Sequence, residues 1–176
     1  QALSAVTDLL GELEQDSHRE AVCDWLTATG KTHLQILSRG VTDKRPQAVR
    51  GAIIVLSRIG DPQAFGILKK AATNEDRSVR LELVTQLKDY PGPEALDILK
   101  TAAIDVDAEI RLAAITSIAA QRGSAAFDVV GEIIASPEFA ALEDIDKQRI
   151  LIAYSKLGGE EAVSSPLKPK IWKSLP

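Results

Sequence analysis

The stretch GAIIVLSRIGDPQAFGILKKAA (51–72) returns as ELVTQLKDYPGPEALDILKTAA (82–103) and again as AAITSIAAQRGSAAFDVVGEII (113–134), the starts at 51, 82 and 113 marking a constant interval. Apolar positions keep register throughout. Ala52, Ile53 and Leu56 align with Leu83, Val84 and Leu87, then with Ala114, Ile115 and Ile118, offsets that lie on one helical face. A second stripe, Ala64, Phe65, Ile67 and Leu68, aligns with Ala95, Leu96, Ile98 and Leu99, then with Ala126, Phe127, Val129 and Val130. Breakers divide the stripes: Gly60, Asp61 and Pro62; Pro91, Gly92 and Pro93; Gly123 and Ser124. Glycine suits the residue just past a helix end and proline the first residue of the next, so each copy reads as a helical hairpin.

One interval before the first copy lies another unit, with Ala21, Val22 and Trp25 in the first-helix slots and Leu34, Ile36 and Leu37 in the second. The next unit toward the C-terminus requires five extra residues around SPEFAALEDID, after which Ile150, Leu151 and Tyr154 take the first-helix slots and Ala162 follows Gly158 and Gly159. The expected organisation is one domain over 1–176. A leading helix covers 2–15, and the repeats fall at about 17–40, 47–74, 78–105, 109–136 and 146–165. Residues 166–176 are a linker or the start of a further repeat. A hairpin of this size cannot bury both stripes alone, so the units must stack. The expected fold is all-α, an α-solenoid of stacked helical hairpins in a right-handed superhelix. A four-helix bundle would not require the same residue classes to return at a fixed period.

These units resemble HEAT repeats, of the short bacterial type also described as the HEAT-like repeat of phycobilisome lyases. The residues carrying the resemblance are VRGAIIVLSRIGDPQA (49–64), SVRLELVTQLKDYPGPEA (78–95) and EIRLAAITSIAAQRGSAA (109–126). They follow the family's Val-Arg, small apolar, Leu, Gly-Asp, Pro-x-Ala cadence. The resemblance covers about residues 17–165 and implies a scaffold or adaptor whose second helices line a concave binding surface, armadillo-like in architecture. Gln121 and Arg122 depart from the pattern set by Ile59 and Gly60. The insertion at 136–144 is expected to bend or separate the stack and to offer a contact loop.

Composition agrees with packed helices. Of 176 residues, 45% are hydrophobic, yet only 4% are aromatic and there is no Met, so the core must come from Leu, Ile, Val and Ala. A net charge of −4 opposes broad nucleic-acid binding, which needs a basic face to displace counterions from phosphates. The single cysteine, Cys23, can form no internal disulfide, so a cytoplasmic setting is expected. No apolar run approaches the roughly 20 residues that span a bilayer. The chain opens at Gln1 within a helical pattern and stops at Pro176 after the basic and apolar tail LKPKIWKSLP, so a longer parent protein is expected.

DRSVR (76–80) and DAEIR (107–111) hold Asp and Arg four apart at the start of a first helix. Such an Asp can cap exposed N–H groups and an Arg one turn on can pair with it, so the pairs read as structural joints, with Arg19 and Arg50 as earlier members of the row. His18 and His33 have acidic neighbours but no HExxH or paired-Cys context, so no metal is expected. Cys23 and Trp25 read as core.

The solvent positions of the second helices carry the candidate partner surface: Gln35 and Arg39, then Gln63, Lys69 and Lys70, then Glu94, Asp97 and Thr101, then Asp128. This mixed row lacks the basic stripe with interleaved aromatics that grips single strands. The expectation is a non-enzymatic interaction scaffold or adaptor for a protein or peptide partner, a monomer by default. It would have no catalytic residue, no cofactor, and no nucleic-acid or membrane partner within this segment. The alternative, implied by the phycobilisome-lyase flavour of the repeats, is an accessory subunit of a bilin lyase or isomerase.

Overall fold

The computed structural model describes residues 12, 16–30, 34–90, 92–121 and 123–159. The expected leading helix (2–15), the second helix of the last repeat beyond 159 and the tail 166–176 lie outside them. Ten α-helices occur among the described residues: α1 (Asp16–Gly30), α2 (Leu34–Gly40), α3 (Pro46–Ile59), α4 (Pro62–Leu68), α5 (Arg77–Leu87), α6 (Pro93–Ala102), α7 (Ala108–Gln121), α8 (Ser124–Ala135), α9 (Pro137–Ala141) and α10 (Asp144–Gly158). A 3₁₀ turn, Lys69–Thr73, continues α4. The chain divides into two compact units, Gln1–Gln86 and Leu87–Pro176.

The repeat period is written into the helix boundaries. First helices start at Pro46, Arg77 and Ala108, and second helices at Pro62, Pro93 and Ser124. Leu56, Leu87 and Ile118 hold equivalent slots and are wholly buried, as are Leu68, Leu99 and Val130 in the second helices. Burying one such side chain is worth about 1.5–3 kcal/mol, so the recurring stripes are the main cohesive force. Gly60 closes α3 in the left-handed region (φ 63°), with its N–H on the Leu56 carbonyl at 3.3 Å. An L-residue would be strained there.

In the first unit α1 and α2 both pack on α3, and α4 packs on α2 and α3. Here the expected register is corrected. Cys23 and Leu26 are fully buried, whereas Trp25 is 47% exposed and is not core. Helix α1 begins at Asp16 and α3 at Pro46, one position short of a full period, so Leu26 rather than Trp25 is the counterpart of Leu56. One residue along a helix is a rotation of about 100°, enough to turn a core position outward.

In the second unit α6 packs on α7 and α8, and α10 packs on both α7 and α8. The five extra residues are α9 itself, one turn capped by Ser136, whose hydroxyl accepts from the Phe139 N–H at 3.4 Å. Phe139 is buried and α9 lies on α8, so the insertion is absorbed and α10 still reaches the preceding hairpin instead of separating from it. Tyr154 of α10 stacks on Phe127 of α8 with centroids 4.5 Å apart, and a Cβ at Gly158 would run into the Phe127 ring. Gln121, a departure from the repeat pattern, donates to the Tyr90 carbonyl at 3.3 Å and accepts from the Gly92 N–H at 3.4 Å. It thereby satisfies the hairpin turn of the previous repeat.

Candidate interaction surfaces

The recurring Asp and Arg have separate tasks. Asp76 caps α5, accepting from the N–H groups of Ser78 at 2.8 Å and Val79 at 3.4 Å; Asp107 caps α7, accepting from Glu109 at 3.0 Å and Ile110 at 3.2 Å. The Ser78 hydroxyl, then the backbone N–H groups, hold the Asp76 carboxyl below its ordinary pKa. The arginines reach back to the preceding loop. Arg80 Nη1 donates to the carbonyls of Asn74 at 2.8 Å and Glu75 at 3.1 Å, and Arg111 Nη1 donates to those of Asp105 at 2.9 Å and Val106 at 3.0 Å. Each clamp ties a helix to the loop that enters it.

Arg50 is not a member of that row. One period before Arg80 stands Val49, and Arg50, one position on, donates instead to Glu82 of α5 through Nε at 3.1 Å and Nη2 at 2.9 Å. Arg19 lies outside the residues whose side chains are described. Two further exposed ties bridge neighbouring helices: Arg58 of α3 binds Glu20 and Asp24 of α1, and Lys100 of α6 binds Glu132 of α8. Exposed pairs of this kind contribute about 0–1 kcal/mol each.

The α7 clamp has a second half that sequence spacing does not reveal. Arg111 Nε donates to Asp146 Oδ2 at 2.8 Å, Arg111 Nη2 also binds that oxygen, and Arg149 Nη1 reaches Asp146 Oδ1 at 3.2 Å. Asp146 is 2% exposed and sits in the slot that Val79 and Ile110 fill in other repeats. The two partners are 35 residues apart and lie in successive repeats, so no local motif joins them.

All nine candidate surface residues are exposed. Gln35 and Arg39 lie on α2, Gln63 on α4, and Lys69 and Lys70 on the 3₁₀ turn, all in the first unit. Glu94, Asp97 and Thr101 lie on α6 and Asp128 on α8, in the second. His18 is exposed, His33 lies outside the described residues, and Cys23 is buried with its thiol 3.9 Å from the Gly51 carbonyl. Among the described residues no three His, Cys, Asp or Glu side chains group as metal ligands, and no helix is long and apolar enough to cross a membrane.

No protein-family model matches the chain, and no curated protein sequence matches it. Among solved structures it is similar to a chain in the complex of CpcE and CpcF of phycocyanin lyase from Nostoc sp. PCC7120. The TM-score is 0.62 and the identity 23%, over 86% of this chain and 97% of that one. The expectation of a non-enzymatic chain is corrected by this likeness, because nearly the whole of a chain from a lyase complex has the same fold. A catalytic motif confined to one short segment is a poor guide here: stacked hairpins can assemble a site from side chains many residues apart, as Arg111 and Asp146 meet. By residue period, helix boundaries and structural likeness, the chain is an all-α protein of the HEAT-like repeat fold, in the α-solenoid class.

Proposed function

We propose that the chain is an accessory subunit of a lyase-type enzyme that handles a bilin, working in the cytoplasm in a complex with a protein partner. The observation that carries this reading is the coverage: one chain of the phycocyanin lyase complex is matched over 97% of its length. A bilin carries propionate groups that need cations. In this reading Arg39, Lys69 and Lys70, with Gln35 and Gln63 beside them, supply the polar contacts in the first unit. The acidic Glu94, Asp97 and Asp128, together with the neutral Thr101, meet the protein partner, where charge complementarity sets orientation. Nucleic acid has no part in the reading, since a net charge of −4 lacks the basic surplus that phosphate binding needs.

Titration with a free bilin, followed by visible absorption, tests the proposal. A saturable spectral change is expected, weakened by Arg39→Glu with Lys70→Glu. An unchanged spectrum at stoichiometric bilin, both for the chain alone and for its complex with a co-purifying protein, would sink it.

A further inference from the structure

The clamp that recurs at two joints is missing from a third, and its place is an open cavity. At 74–80 and at 105–111 an arginine Nη1 donates to two successive loop carbonyls, at 2.8 and 3.1 Å from Arg80 and at 2.9 and 3.0 Å from Arg111. The counterparts of Asn74, Glu75 and Arg80 in the preceding repeat are Asp43, Lys44 and Val49. These three line a cavity of about 590 Å³ that Pro46, Asn74, Glu75 and Asp76 complete. Its volume lies within the roughly 300–1,000 Å³ of ligand clefts. Val49 is 1% exposed and delivers no guanidinium. Arg45 does not reproduce the clamp, for its Nε and Nη2 are held by the Asp43 carboxylate, each at 3.0 Å.

We propose that this cavity receives an arginine side chain from a partner polypeptide, its guanidinium standing where those of Arg80 and Arg111 stand in the other joints. The recognising groups are the carbonyls of Asp43 and Lys44 and the rim carboxylate of Glu75. A planar fork of five donors can address two adjacent carbonyls and a carboxylate together; an ammonium, a compact point charge, matches that geometry less well. An anionic ligand would meet three carboxylates, those of Asp43, Glu75 and Asp76, against the single ammonium of Lys44. The bilin reading is not needed for this inference, which concerns a different set of residues and a cationic group.

Amide NMR spectra of the whole chain, titrated with N-acetyl-arginine methylamide and, separately, with its uncharged citrulline analogue, test the proposal. Saturable shifts confined to residues 43–49 and 74–76 are expected with the arginine compound and none with the citrulline one. Val49→Arg supplies the guanidinium from within and should abolish the response. Because an arginine at a buried position risks unfolding the chain, Glu75→Lys on the rim serves as the second variant, with affinity expected to fall about fivefold. An equal response to citrulline, wild-type binding by Glu75→Lys, or no saturation at tens of millimolar overturns the proposal.

Discussion

The loop entering α3 and the loop entering α5 begin alike and finish differently. In both, an Asx side chain accepts the N–H two residues on, Asp43 from Arg45 at 2.8 Å and Asn74 from Asp76 at 2.9 Å. Beyond that point α5 gains a capping carboxylate from Asp76 and a guanidinium clamp from Arg80, whereas α3 has Arg45 at its N-cap with no side-chain cap and Val49 in the clamp slot. Helix α3 starts instead with Pro46, whose missing N–H removes one donor that would need a cap and whose fixed φ favours the first turn. The turn is therefore the invariant part of the joint. Cap and clamp are replaceable, provided the orphan backbone groups find another solution.

The loop entering α7 extends the comparison and carries the largest expected effect. It has cap and clamp like α5, but Arg111 also neutralises the buried Asp146. Arg111→Ala leaves that carboxylate with Arg149 alone in a buried site, and breaking a buried pair from one side costs about 3–5 kcal/mol. Urea unfolding measures it. Replacing both partners, Arg111→Leu with Asp146→Ile, puts an apolar residue where Val79 and Ile110 sit in other repeats and should recover most of the loss. A double variant no more stable than Arg111→Ala would show that the carbonyl clamp, not the ion pair, dominates this joint.

Arg80→Ala tests the clamp in a joint where Ile110 stands in the slot that Asp146 fills for Arg111. The freed carbonyls of Asn74 and Glu75 lie near water, so the expected cost is that of one charge-assisted contact, about 1.5 kcal/mol. A cost matching that of Arg111→Ala would erase the distinction between the two joints. Unfolding midpoints of the two variants at one temperature decide between these outcomes.

How much of this is legible in the residues follows from what a repeat period can carry. A period identifies equivalent positions, so the recurrence of first helices and the five extra residues are readable, but not that those five residues form the helix α9. It does not say what covers a position. Counting one period assigns Trp25 to the core, and a single missing residue before α3 turns it outward. Residue type alone places Arg50 in the clamp row, though one period before Arg80 stands Val49. The proposed partner surface is legible only as exposure, because a helical period marks which side chains face solvent and not which of them meet another molecule. The Arg111 and Asp146 pair is invisible for the opposite reason: an aspartate in a slot reserved for Val or Ile reads as a break in the pattern until its arginine is seen.

The smallest expected effect tests the cap in the α5 joint through its titration. The Ser78 hydroxyl and the N–H groups of Ser78 and Val79 bind the ionised Asp76 carboxylate and lower its pKa in the folded chain, while the unfolded chain titrates near the ordinary value of about 3.9. The folded state thus binds its proton at lower pH than the unfolded state. The resulting stability is fully present above about pH 4 and is lost as pH falls through the folded pKa. Asp76→Asn keeps an acceptor of similar capping strength, so stability at neutral pH should change by less than about 0.5 kcal/mol. Its acid limb should be flatter than that of the parent chain. Asp43 titrates in the same window, since the Arg45 guanidinium lowers its carboxyl pKa too, so Asp43→Asn serves as the matched variant for the α3 joint. If only Asp43→Asn flattens the acid limb, the ion pair rather than the cap carries the pH dependence, and the α5 joint owes its acid sensitivity to something other than Asp76.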